Sequence, residues 1–162
     1  MLIREAQDSD FPAIWSIFKE VVSTGDTYPY LPDMTEAEAY NLWMSQPHQT
    51  FVAEEDGPIY GTYVIKQNHP GLGSHVCNCG YMVASTARGR GIATAMCHHS
   101  QKTALALGYK AIQFNLVVAT NEGAVHLWQK LGFEIIGRLP QAFNHHQHGY
   151  VDAFVMYKWL GG

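Results

Sequence analysis

Two hydrophobic periodicities alternate along the chain, one helical and one of strand type. Phe11, Ile14, Trp15, Phe18, Val21 and Val22 recur at i, i+3, i+4 and i+7, which predicts an amphipathic helix. Ser9 or Asp10 stands where its N-cap belongs, Pro12 suits the first turn, and Gly25 lies just past its end. Residues 2 to 6 read as a short strand before it. Pro29 and Pro32 rule out regular helix over the segment Thr27 to Asp33. Thr35 and Glu38 then form a capping box that opens a second helix running through about Trp43.

Strand periodicity follows. Gln49 to Glu54 and Ile59 to Gln67 read as a hairpin around Glu55-Asp56-Gly57-Pro58. Val76 to Ala84 is a further strand. From Ile92 to about Leu107 a helix carries a stripe of small residues (Ala93, Cys97, Ser100, Ala104), suited to close packing on a sheet, and Gly108 ends it. Ala111 to Ala119 is almost continuously apolar, as a strand covered on both faces should be. Glu122 to Leu131 forms a short helix capped by Asn121 and closed by Gly132. Phe133 to Leu139 and Tyr150 to Leu160 are the last strands, joined by a polar loop bearing histidines. With no internal repeat and no linker, residues 1–162 read as one α+β domain.

Composition narrows the function. The 162 residues are 47% hydrophobic and 15% charged, enough for a buried core and too apolar for disorder. No apolar run is long enough for a bilayer, and Met1 to Ala6 lacks the pattern of a signal peptide. Three cysteines, Cys77, Cys79 and Cys97, suggest no disulfide framework, so a reducing cytoplasm is the expected location. The formal charge of −4, with no basic cluster beyond Arg88 and Arg90, argues against nucleic acid as partner.

The candidate chemistry begins at Arg88-Gly89-Arg90-Gly91-Ile92-Ala93-Thr94, between a strand and a helix. A helix opening after such a turn presents free backbone N–H groups and the positive end of its dipole, a site for phosphate. Glycine there keeps a Cβ from holding a diphosphate away from the amides. No Gly-Lys-Ser/Thr follows, and G-x-G-x-x-G is absent, so neither a Walker A loop nor a Rossmann fingerprint is present. Downstream runs a second pattern, Asn121-x-x-Ala124-x-x-Leu127-Trp128-x-x-x-Gly132-Phe133.

Arg88-x-x-Gly91-x-Ala93 followed by that pattern resembles the GCN5-related N-acetyltransferase superfamily, over about residues 76 to 139. The resemblance implies a mixed central sheet of seven strands flanked by four helices, with two strands splayed at the cofactor site. It implies acetyl-CoA as cosubstrate. That molecule would be held by Tyr81, Met82 and Val83 of the strand, by Arg88, Gly89, Arg90, Gly91, Ile92, Ala93 and Thr94 of the loop, and by Asn121 and Trp128. Backbone N–H groups around Val83 would bind the oxyanion.

A narrower resemblance rests on Ser74-His75-Val76-Cys77-Asn78-Cys79-Gly80-Tyr81, Phe114-Asn115-Leu116-Val117 and Thr120-Asn121. It is to fungal acetyltransferases that detoxify proline analogues such as azetidine-2-carboxylate, which would put Asn78 and Asn115 at the acceptor. An amide in an apolar strand needs hydrogen bonds at both ends. These two asparagines either position the acceptor or satisfy backbone at a strand irregularity. The chain also departs from the family. The strand 76–84 has no carboxylate to act as base, and Trp128 replaces the tyrosine that many relatives use as acid. An α-amine, with a pKa near 8, needs less help from a base than a lysine amine.

The expected activity is therefore direct acetyl transfer to the amine of a small amino or imino acid, with Asn78 and Asn115 catalytic and no metal. A peptide or protein acetyltransferase and a non-catalytic acetyl-CoA-binding protein are the alternatives. Tyr28 and Tyr30 either line the acceptor pocket or pack beneath a loop. His145, His146 and His148 lack an accompanying carboxylate or cysteine and read as a solvated loop. Cys77 and Cys79, at alternate strand positions, read as small core residues, and His75 as structural. The apolar last strand leaves a homodimer open.

Overall fold

The computed structural model describes residues 1–161. Strands β1 (Leu2–Glu5), β2 (Gln49–Glu54), β3 (Ile59–Gln67), β4 (Val76–Val83), β5 (Ala111–Val118), β6 (Glu134–His145) and β7 (Gly149–Trp159) form one sheet in the order β1-β2-β3-β4-β5-β7-β6. The helices are α1 (Phe11–Ser23), α2 (Glu36–Tyr40), α3 (Ile92–Ala106) and α4 (Glu122–Lys130). Every neighbouring pair is antiparallel except β4 and β5, which are parallel and joined through α3. That one parallel pair holds only two registered partners, Val76↔Ala111 and Cys77↔Ile112, after which the strands part. None of the described helices is long and apolar enough to cross a membrane.

The sheet separates two cores. Cys77, Cys79, Met96, Cys97, Ile112 and Phe114 fill the side covered by α3 and α4. Phe18, Trp43, Val52, Val64 and Met82 fill the side covered by α1 and α2. Along β4 the side chains alternate between them. The cysteines are free and face the first core, whereas Asn78 and Gly80 share a face with Met82.

Local structure departs from the sequence pattern in three places. Asp10 does not cap α1 with its side chain; its carboxylate takes the Arg4 guanidinium at 2.8 and 2.9 Å and the Gln7 amide at 2.7 Å. The second helix keeps its Thr35–Glu38 capping box but widens after Tyr40 into a π-helical turn, Asn41–Ser45. That turn carries Trp43, which is buried and donates to the Thr62 hydroxyl at 3.0 Å. The polar, histidine-bearing stretch is not a loop. Strand β6 continues through it to His145, leaving only 146–148 as the turn. An edge strand exposed along most of its length needs no apolar alternation, and an irregularity between Leu139 and Phe143, with Gln141 at φ +51°, disguises the period further.

Candidate active site

The anion-binding end is built from backbone. Gly91 is the N-cap of α3 at φ +75° and has no side chain to cap the helix. Ala95 is the first residue whose N–H finds an intrahelical acceptor, the Gly91 carbonyl at 3.0 Å. The amides of Ile92, Ala93 and Thr94 thus lack one. Gly89 also has positive φ, +76°, and no heavy atom lies within 4 Å of where a Cβ would stand at either glycine. The loop is open as well as conformationally glycine-dependent. Arg88, Gly89 and Ala93 line a cavity of about 880 Å³, within the range of small-molecule sites.

Glu20 of α1 holds this loop from across the molecule. Its Oε1 accepts the Ser85 amide at 2.7 Å. The hydrogen bonds from Ser85 keep the carboxyl below its ordinary range, with a smaller contribution from Arg88. Arg90 turns away: its guanidinium pairs with Glu55 and lies over the Tyr60 ring at 4.7 Å. Ile92 is buried in the core. Gly91, Ile92 and Thr94 belong to the turn without lining the cavity.

The gap between β4 and β5 forms the middle of the site. Tyr81, Met82, Val83, Asn121 and Trp128 all border it. Asn121 caps α4 by accepting the Ala124 amide at 3.4 Å. Trp128 packs with its ring centroid 5.1 Å from Tyr81 and 5.0 Å from Phe114. The Tyr81 hydroxyl lies 2.7 Å from Ser100, whose own proton goes to the Cys97 carbonyl, so Tyr81 is the donor of that pair. Burial raises the Tyr81 phenol, the Cys79 thiol and the Cys97 thiol, keeping all three protonated.

The two asparagines both border the cavity but are held differently. Asn78, half-buried, stands one residue past the last β4–β5 pair and donates from Nδ2 to the Gln113 carbonyl at 2.9 Å. Its side chain spans the opening where the backbone ladder stops. Its Oδ1 has no donor among the described residues. Asn115, exposed, is engaged at both ends: Nδ2 donates to Asn68 Oδ1 at 2.8 Å, and Oδ1 accepts from Gln113 Nε2 at 3.0 Å.

Aromatic residues wall the opposite side. Tyr28 and Tyr30 stack at 5.6 Å, and Tyr28 meets Trp43 edge-on at 6.3 Å. The Tyr28 hydroxyl donates to the Tyr81 carbonyl at 2.6 Å, and burial pushes its phenol far above the ordinary value. It is a fixed donor rather than a proton shuttle. A Cβ on Gly80 would stand 3.4 Å from Trp43 and 3.5 Å from that hydroxyl, in ordinary van der Waals contact, so this wall packs directly on β4.

The β6–β7 turn closes this end. The His146 amide donates to the Gly25 carbonyl at 3.1 Å, and a Cβ at Gly25 would lie 3.1 Å from His146 Cβ. His145 is buried, and its Nδ1 accepts the amides of Gln147 and His148 at 3.0 and 3.2 Å. These histidines shape a turn. Three charged residues border the cavity among the described ones: Asp26, Lys66 and Arg88. Asp26 and Lys66 carry no sequence signal of their own, because the segments that bring them to one cavity are far apart in the chain.

Comparison with known proteins places this arrangement. A model of the acetyltransferase (GNAT) family matches residues 5–133. The N-acetyltransferase aca1 of Schizosaccharomyces pombe is 38% identical over 98 residues, 60% of this chain; the match spans about half, 47%, of that longer relative. A GCN5-related N-acetyltransferase structure from Kribbella flavida superposes with a TM-score of 0.93 at 47% identity, covering 98% of this chain and 97% of that one. A phosphinothricin acetyltransferase from Sinorhizobium meliloti, solved with acetyl-CoA, shares the fold at a TM-score of 0.87 and 21% identity, covering 99% and 88% of the two chains.

Proposed function

The chain belongs to the acetyltransferase (GNAT) family, and on that premise we propose that it transfers acetyl from acetyl-CoA directly to the amine of a small amino or imino acid. The observation that carries this reading is the coincidence of the β4–β5 opening with the uncapped start of α3, both on one cavity.

The residues fit the cosubstrate. The open glycine turn, Arg88 and the free amides at the start of α3 suit a pyrophosphate. The parted strands leave unpaired backbone and an apolar wall, Tyr81 and Trp128, for the pantetheine arm. When bound there, acetyl-CoA supplies an activated thioester carbonyl. Backbone N–H groups of β4 around Val83 stabilise negative charge developing on its oxygen. Asn78 Oδ1, held outward by the bond from Nδ2 to Gln113, accepts an N–H of the acceptor amine. Asn115, Asn68 and Gln113 fix the β5 side of the opening. Tyr28, Tyr30 and Trp43 limit the acceptor's size. Placing amine and thioester together supplies the main rate gain, on the order of several kcal/mol, and the proton leaves to solvent.

The buried thiols of Cys79 and Cys97 take no part, since burial holds both protonated. Incubation with acetyl-CoA and a mixture of amino and imino acids, followed by mass spectrometry, tests the reading. N-acetylated amino acids are expected. Acetylation confined to peptides, or none at all, contradicts it.

A further inference from the structure

One cation of the cavity has no assigned work. Arg88 serves the phosphate end, but Lys66 stands elsewhere. It is the direct cross-strand partner of Asn78 in the β3–β4 register. Partners of this kind project from the same face with Cβ atoms about 5 Å apart. Both side chains border the cavity. From Asn78 to Val83, where β4 gives way to the phosphate loop, five residues of strand span about 17 Å. Lys66 is therefore at the acceptor end and out of reach of the pyrophosphate turn.

Nothing among the described residues neutralises it. Among the described residues no carboxylate pairs with the Lys66 ammonium, and no group accepts a hydrogen bond from it; the ion pairs join Arg4, Arg90 and Arg138 to other partners. Two residues further along, Asn68 Nδ2 is buried without a partner, so this corner is short of acceptors. The one carboxylate bordering the cavity, Asp26, comes from the loop after α1 and accepts from the Thr24 hydroxyl at 2.6 Å. An unpaired ammonium beside a half-buried amide, in a cavity that Tyr28, Tyr30 and Trp43 wall on one side, calls for an anionic group on the ligand.

We propose that Lys66 binds the carboxylate of the acceptor while its neighbour Asn78 receives the amine. This rests on the reading of the cavity as an amino-acid acetylation site and deepens it. Two side chains that leave one face about 5 Å apart at Cβ can converge on the amine and the carboxylate of a single α-carbon. Lys66 is thereby the specificity-determining residue that separates amino and imino acids from amines lacking a carboxylate.

The test compares proline with prolinamide, and alanine with alaninamide, in wild type, Lys66→Met and Lys66→Arg, following thiol release from acetyl-CoA. In Lys66→Met the KM for the acids is expected to rise about ten- to hundredfold, the size of one lost charge-assisted hydrogen bond. The KM for the amides and the calorimetric affinity for acetyl-CoA should stay within twofold, and Lys66→Arg should restore most of the loss. Equal changes for acid and amide, or no change for either, would overturn the role of Lys66 while leaving amino-acid acetylation standing. Wild-type turnover of peptides or polyamines, with none of the four small acceptors used, would overturn the acceptor class and the Lys66 proposal together.

Discussion

The cofactor end and the acceptor end of this cavity are made in opposite ways. The proposed cofactor end is local: Arg88, Gly89, Gly91 and the first amides of α3 lie within a few residues and offer a ligand mainly backbone. The proposed acceptor end is assembled from six separate segments: the loop after α1, the π-helical turn, the end of β3, the middle of β4, the middle of β5, and the β6–β7 turn. Its ligand meets side chains. A backbone site tolerates sequence change except where φ or space demands glycine, whereas a side-chain site changes specificity with single substitutions. One fold can thus keep its cosubstrate and vary its acceptor.

The largest expected effect breaks the cofactor end alone. Gly91→Val forces a β-branched residue to φ +75°, and relief of that strain displaces the free amides. Acetyl-CoA affinity should fall by about a hundredfold in calorimetry. An affinity within threefold of wild type would show that the turn does not carry the phosphate.

The next pair breaks the acceptor end. Asn78→Ala removes the free Oδ1 and leaves the Gln113 carbonyl without its donor. It should lower kcat/KM for the acceptor roughly thirtyfold while acetyl-CoA affinity holds. Asn115→Ala acts through Asn68 and Gln113 and should cost about tenfold. Unchanged turnover in Asn115→Ala would count against its placement in the site.

A smaller effect joins the two ends. Glu20→Ala releases the Ser85 amide and should raise the KM for acetyl-CoA about fivefold with kcat nearly unchanged. Glu20→Gln keeps an acceptor oxygen and should recover most of it. If both variants behave alike, Glu20 does not position the loop.

The smallest effect concerns the scaffold, at residues that do not line the cavity. Hydrogen bonds from Arg4 hold the Asp10 carboxyl below its usual value. A lowered native pKa contributes stability that is full above the unfolded value near 3.9 and is lost as pH falls through the native one. Asp10→Asn should therefore cost about 1–2 kcal/mol at pH 7, and less as the pH drops below about 4. Urea titrations at both pH values measure it. A cost that does not shrink in acid would assign the loss to geometry rather than charge.

The same contrast decides what the sequence revealed. Elements with local signals were legible: the Thr35–Glu38 capping box, the apolar faces of α1 and β5, and the glycine turn each announce themselves within about ten residues. The π-helical turn was not, because Trp43 is placed by Thr62 on β3, nineteen positions away. The end of β6 was hidden because an exposed edge strand imposes no alternation. Asn78 and Asn115 stood out as amides in apolar strands. Lys66 did not, since a lysine near a strand end looks like any solvated charge until β4 is paired against it.

Steady-state thiol release from acetyl-CoA across azetidine-2-carboxylate, proline, phosphinothricin, methionine sulfoximine, free lysine, polyamines and a short peptide tests the central claim most directly. Turnover is expected to concentrate on the amino and imino acids, with polyamines and peptide poor. Acetyl-CoA bound with no thiol released by any of these amines would contradict it, and would make the protein a binder of acetyl-CoA rather than an enzyme.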